Sequence, residues 1–175
     1  MGGLKRSAPP FSSASRPVAK GSPSAEDDFA ALIKRFIEAE KSIPMNLRWR
    51  ESKNHADYAI SVMRVACPKF SRIKARVVLN SHIYFEPRKY TFVLLLNRTR
   101  IVALDVGPKR FHRNAFGASI GCTHWQYYPT YEAIPDDRLL SHYQWLDLFF
   151  KRCNIVFEEQ YTAPMHDKEQ MRLGL

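Results

Sequence analysis

Apolar residues recur along this chain with two different periods, and the change from one to the other divides it. Phe29, Leu32, Ile33, Phe36 and Ile37 fall at i, i+3, i+4, i+7 and i+8, a single stripe along an α-helix. Ser24-Ala25-Glu26-Asp27 ahead of the stripe has capping-box spacing, and Pro44 marks the stop. From Met45 the period falls to two. Met45, Leu47 and Trp49 alternate with Asn46, Arg48 and Arg50, the pattern of a half-buried strand. Residues 56–66 read as a second strand ended by Cys67-Pro68. In residues 75–86, Ala75, Val77, Leu79, Ile83 and Phe85 face one way, and Arg76, Asn80, His82, Tyr84 and Glu86 the other. Residues 90–96 are an almost unbroken apolar strand, Asn97-Arg98-Thr99-Arg100 is a hairpin turn, and residues 101–106 are the fifth strand. Connections this short require antiparallel neighbours.

Beyond the strands lies Leu104–Tyr128, a stretch with three glycines, two histidines and three cationic side chains set between apolar segments, which reads as a functional loop. Pro135-Asp136-Asp137 then opens a second helix, with acids at its positive end. Leu139, Tyr143, Leu146, Phe150 and Cys153 form its stripe, and Leu140, Trp145 and Phe149 widen it. Residues 154–161 suit a short edge strand and residues 165–173 a terminal helix. The expected fold is therefore α+β: an N-terminal helix, a five-stranded antiparallel meander, and a C-terminal helix packed on one sheet face. The other face would show Arg48, Arg50, Arg76, Asn80, His82 and Tyr84.

Residues 1–24 are rich in Ser, Pro, Ala and Gly and carry no acid before Glu26, so they read as a disordered basic tail ahead of a single α+β domain over 25–175. No apolar h-region supports a secretory signal, and Arg6 stands where a myristoylation motif needs Ser or Thr. A transit peptide fits the composition, but Pro9, Pro10, Pro17 and Pro23 oppose its amphipathic helix. No window is long and apolar enough for a membrane helix. Three scattered cysteines, Cys67, Cys122 and Cys153, argue against a disulfide framework and for a reducing compartment, so a cytoplasmic location is expected.

Charge changes the picture more than composition does. The net charge is +10, and residues 41–113 alone carry 16 cations against Glu51, Asp57, Glu86 and Asp105. A positive field concentrated in the middle of the chain points to a polyanionic partner, RNA or DNA. Arg48, Arg50, Arg76, His82 and Tyr84 on the sheet, with Lys109, Arg110 and Arg113 in the loop, would supply cations for phosphates and rings for bases. No RNP or helix-turn-helix pattern accompanies them.

The loop also holds His112-Arg113-Asn114 and His124. Two imidazoles with cations beside them form a sufficient kit for metal-independent RNA cleavage, with His112, Asn114 and His124 as the candidate catalytic residues. Cys122-x-His124 with His112 offers three zinc-type ligands, but no C-x-x-C or H-x-x-x-H spacing supports a site, so no metal is expected. A cysteine nucleophile at Cys122 is a weaker reading. There is no P-loop and no G-x-G-x-x-G, and no cofactor is expected.

The residues L-D-V-G, F-H-R-N and G-x-x-I-G-x-T-H-W-Q-Y-Y, followed by an aromatic-rich helix ending F-F-K-R-C-N-I, resemble a family of short bacterial domains of unknown function over roughly residues 45–160. The resemblance implies an origin in phage-derived or mobile regions and adds weight to the loop without supplying a reaction. In that family the His of T-H is commonly followed two positions later by a second His; here Gln126 stands there, which weakens the metal and two-histidine readings. The leading expectation is a small cytoplasmic accessory protein that binds nucleic acid through residues 41–113 and the loop. An RNA-cleaving enzyme and a protein-binding inhibitor or antitoxin-like module are the alternatives.

Overall fold

The computed structural model describes residues 24–83, 89–108, 111–115, 117, 119–158 and 160–164. In chain order it contains α1 (Ala25–Glu38), β1 (Lys41–Ser42), β2 (Arg50–Glu51), β3 (Tyr58–Val65), a 3₁₀ turn at Pro68–Phe70, β4 (Ala75–His82), β5 (Tyr90–Leu96) and β6 (Thr99–Val106). There follow β7 (Phe111–Arg113), β8 (Ser119–Gly121), β9 (His124–Tyr127), β10 (Ile134–Pro135), α2 (His142–Arg152) and β11 (Ile155–Val156). The α+β class stands, but the main sheet has seven antiparallel strands rather than five, in the order β10-β9-β6-β5-β4-β3-β2. The five-strand meander is too small because β9 and β10 come from the stretch read as loop and helix start.

The capping box at Ser24 forms as its spacing predicts. The Ser24 hydroxyl accepts from the Asp27 N–H, and the Asp27 carboxylate accepts from the Ser24 N–H at 3.0 Å. At the other end of α1, Lys41 satisfies carbonyls that the helix leaves open. Its ammonium, 1% exposed, donates to Phe36 O (2.7 Å), Ile37 O (2.9 Å) and Ala39 O, and burial brings its pKa down to about 8. Residues 45–49 build no ladder and alternate only in part: Leu47 is buried and Trp49 half-buried, but Met45 is exposed. Only Arg50–Glu51 pairs, and Trp49 donates its indole N–H to Thr162 O at 2.8 Å.

Strand β4 alternates in burial as its sequence predicts, β3 and β5 alternate too, and β6 is buried on both faces from Ile101 to Val106. The turn between β5 and β6 tightens to Asn97 and Arg98, both at positive φ (46° and 75°), the twist that suits a two-residue hairpin. One face of the sheet carries Met63, Val77, Leu94 and Val102 in one row and Ser61, Leu79, Phe92, Leu104 and Trp125 in the next. Both helices bury against this face. Ile33 and Phe36 of α1 and Trp145, Leu146, Phe149 and Phe150 of α2 join one core with it. Phe149 stacks on Trp125 with ring centroids 6.2 Å apart and meets Phe92 edge-on at 5.8 Å.

α2 starts later than the acids at 136 and 137 suggest. Its cap is Ser141, in a capping box with Gln144. Asp136 is drawn elsewhere: it accepts from the Trp125 indole (2.9 Å) and from the Arg138 guanidinium, which hold its pKa down to about 2. Leu139 therefore precedes the helix and is 94% exposed, and Tyr143 lies outside the buried stripe. His142, the first residue of α2, bonds Ser81 through Nε2 and the Tyr161 hydroxyl through Nδ1, both at 2.8 Å. Burial pulls its pKa to about 4. The edge strand expected in 154–161 is β11, which pairs in parallel with β1 in a separate two-stranded sheet. The basic tail over residues 1–23 and the helix over 165–173 lie outside the described residues, and no helix among those described is long and apolar enough to cross a membrane.

Candidate functional site

The second sheet face carries the candidate chemistry. Read across the strands by register, its first row is Arg64, Arg76, Leu95 and Arg100. The second is Val62, Val78, Val93, Ala103 and Gln126. The third is Arg50, Ile60, Asn80, Thr91, Asp105 and His124, and Tyr58 with His82 follows. Cations thus gather at one end of the face and imidazoles at the other, with an aliphatic band between them.

Arg64 and Arg76 are exposed and sit directly opposite each other across β3 and β4. With Lys74 and Arg98 they line a cleft of about 790 Å³ whose other described lining residues are Met45, Val62, Ala75, Leu95 and Asn97. No acid is among them. Arg100 lies with its guanidinium 4.8 Å from the Tyr131 ring centroid. Of the residues singled out from the sequence, Arg50, Arg76 and His82 lie on this face. His82 is half-buried, with its ring edge-on to Tyr58 at 5.2 Å. Arg48 is exposed but precedes β2, and Tyr84, Lys109 and Arg110 lie outside the described residues. Arg64, Lys74, Arg98 and Arg100 were not singled out. Arg64 could have been, since it alternates with Met63 and Val65 as Arg76 does with Ala75 and Val77.

At the β6–β9 end, the structure brings His112 and His124 together with their ring centroids 5.6 Å apart. Cys122, held at φ 64°, points its carbonyl at His124 Nδ1, 3.0 Å away. A carbonyl only accepts, so in neutral His124 the proton sits on Nδ1 and Nε2 is an acceptor. Facing that nitrogen is the amide nitrogen of Gln126 at 3.1 Å, with Asp105 Oδ2 at 3.7 Å. The same amide nitrogen lies 3.2 Å from His112 Nδ1. Thr91 donates its hydroxyl to Asp105 Oδ1 at 2.8 Å. His124 is 2% exposed and Gln126 4%, whereas His112 is half-buried. The Gln126 carbonyl oxygen is buried and has no partner among the described residues.

Asn114 does not join this cluster. It accepts from the Ala133 N–H at 2.7 Å and donates to the Ala133 carbonyl at 3.2 Å, imitating one strand-to-strand pair and fastening the end of β7 beside β10. Gly121 gives the β7–β8 hairpin its closeness: a Cβ there would stand 3.2 Å from the Phe111 ring. Arg113 is exposed on β7 next to His112, so the two point to opposite sides of the hairpin. Cys122 Sγ lies 3.8 Å from Pro108 O, at a second cleft of about 600 Å³ bounded by Val106, Leu140 and Trp145. Among the described residues, no three His, Cys, Asp or Glu side chains group to hold a metal ion.

The arrangement separates two tasks. The cationic row can hold phosphates, while the His112–Gln126–His124 corner offers one accessible imidazole backed by a buried one. No protein-family model, curated protein or solved structure matches this chain.

Proposed function

We propose that this protein binds single-stranded nucleic acid across the open sheet face, with phosphates along the Arg64–Arg76 row and bases over the aliphatic band beside it. The observation that carries the reading is the pairing of Arg64 with Arg76 in register inside a cleft that also holds Lys74 and Arg98. Like charges directly opposite in a sheet destabilise it, and a polyanion removes that penalty. Val62, Val78, Val93 and Leu95 give bases a flat apolar surface, and no described helix projects from this face to enter a duplex groove.

Four cations on four phosphates imply a salt slope of about −3 for a single strand, so affinity should fall about 50-fold between 50 and 200 mM salt. Fluorescence anisotropy with a labelled oligouridylate measures it. The double variant Arg64→Ala/Arg76→Ala should flatten the slope by about 1.4. Affinity independent of salt, or a slope unchanged in the double variant, would remove the proposal.

A further inference from the structure

We infer that His112 is a fixed hydrogen-bond donor on this face, held as the Nε2–H tautomer to take an acceptor oxygen of the bound strand. The inference rests on the nucleic-acid reading and assigns its second contact point. The proton positions follow from one carbonyl. Cys122 O fixes the His124 proton on Nδ1, so His124 Nε2 must accept, and the group 3.1 Å from it must be the Gln126 NH₂. The second hydrogen of that NH₂ then goes to His112 Nδ1, which becomes an acceptor. In neutral His112 the proton is left on Nε2, which has no partner among the described residues.

Reversing the Gln126 amide would not relieve the cluster. It would bring an acceptor to His124 Nε2, which carries no proton to give, and place two N–H donors where the carbonyl oxygen has no partner among the described residues. The amide is therefore locked, and Gln126 serves as a positioning residue. Its position explains why glutamine suits the site. It sits between two acceptor nitrogens, which an NH₂ can serve together and a carboxylate cannot.

Distance along the sheet connects this corner to the cationic row. Same-face residues two apart on a strand are separated by about 6.6 Å, so one row divides Arg100 from Gln126 and two divide it from His124. That spacing is comparable with the length of one nucleotide. Arg76 on β4 lies farther off, three strands from Gln126 on β9 and so about 14 Å across the sheet. A strand held by phosphate at Arg64 and Arg76 therefore runs over β5 and β6 for about two to three nucleotides before it presents a phosphate oxygen or a base carbonyl to His112.

The experiment has two arms. Long-range ¹H–¹⁵N correlation spectra of the full chain should show His124 as Nδ1–H and His112 as Nε2–H, and Gln126→Glu should move the His112 proton to Nδ1. Anisotropy with an oligouridylate and with an abasic ribose-phosphate of equal length should show a loss in His112→Phe of about three- to tenfold, the worth of one neutral hydrogen bond. Loss with both ligands assigns a phosphate oxygen; loss with the oligouridylate alone assigns a base carbonyl. Nδ1–H at His112 in the wild type, or full affinity in a folded His112→Phe, would overturn the inference while leaving the Arg64–Arg76 reading intact. If the wild type binds neither ligand, both readings fail.

Discussion

The buried imidazole of His142 should make the fold acid-sensitive between pH 6.5 and 4. Its two ring nitrogens are engaged by Ser81 and Tyr161, and the rings of Tyr90 and Phe92 close around it at 4.5 and 5.3 Å. Both hydroxyl partners can accept, so hydrogen bonding alone does not forbid the imidazolium; desolvation does. With the pKa lowered from 6.5 to about 4, the unfolded chain takes up a proton below pH 6.5 that the folded protein refuses until about pH 4. His142 therefore costs the fold nothing above pH 6.5, and its penalty grows as pH falls through that window. The whole gap is worth about 3 kcal/mol, and about 2 kcal/mol of it is spent by pH 5. Urea unfolding of the wild type and His142→Gln at pH 7.5, 6 and 5 measures the effect. The variant should be the weaker protein at pH 7.5, because it packs less well between Trp49 and Tyr90. Its deficit should shrink by about 2 kcal/mol at pH 5. Parallel stability profiles, or a His142 resonance titrating near 6.5 in the folded protein, would refute the reasoning.

Other outcomes can be stated more briefly. Arg76→Glu turns a like-charge cross-strand pair into an opposite-charge one, so it should raise stability by about 0.2–1 kcal/mol while weakening oligonucleotide binding, read by urea unfolding and anisotropy on one sample. Lys41→Met leaves the carbonyls of Phe36, Ile37 and Ala39 without their donor and should cost about 2–3 kcal/mol in the same unfolding assay. Cys122 is exposed, whereas Cys67 and Cys153 are buried and burial pushes the Cys153 thiol up to about 12. Iodoacetamide at neutral pH should therefore add one group to the native protein, at Cys122, and three after unfolding, counted by mass spectrometry.

Where the fold was legible in the sequence, a long periodic signal made it so. α1 spans enough turns for its stripe and cap to agree, and β3 to β6 are each seven or eight residues long. β7 to β10 are two to four residues long, too short to show a period, and the glycines among them read as loop punctuation. The start of α2 was misread because Asp136 and Asp137 imitate a helix N-terminus, whereas Asp136 is committed to Trp125 and Arg138. Of the candidate site, the nearness of His112 and His124 was foreseeable from one polar stretch. The bridge through Gln126 depends on β9 entering the sheet beside β6, which no local pattern announces. Asn114 was grouped with the histidines by sequence adjacency, but its short side chain is spent on the Ala133 backbone.

The two ends of the main sheet bear on how this protein behaves at high concentration. β5, with the run Tyr-Thr-Phe-Val-Leu-Leu-Leu, is the kind of segment that seeds intermolecular β-structure when its edges are free. Here it is paired on both sides, and the outermost strands are β2 and β10, each only two residues long. One edge ends in Arg50-Glu51, whose exposed charges are costly to bury under another strand, and the other includes Pro135, which has no N–H to offer an added strand. A second copy arriving edge-on at β2 or β10 therefore finds a strand of only two residues to extend. The most apolar strand of the sheet thus lies three strands in from either edge, shielded by the shortness and chemistry of strands it does not touch.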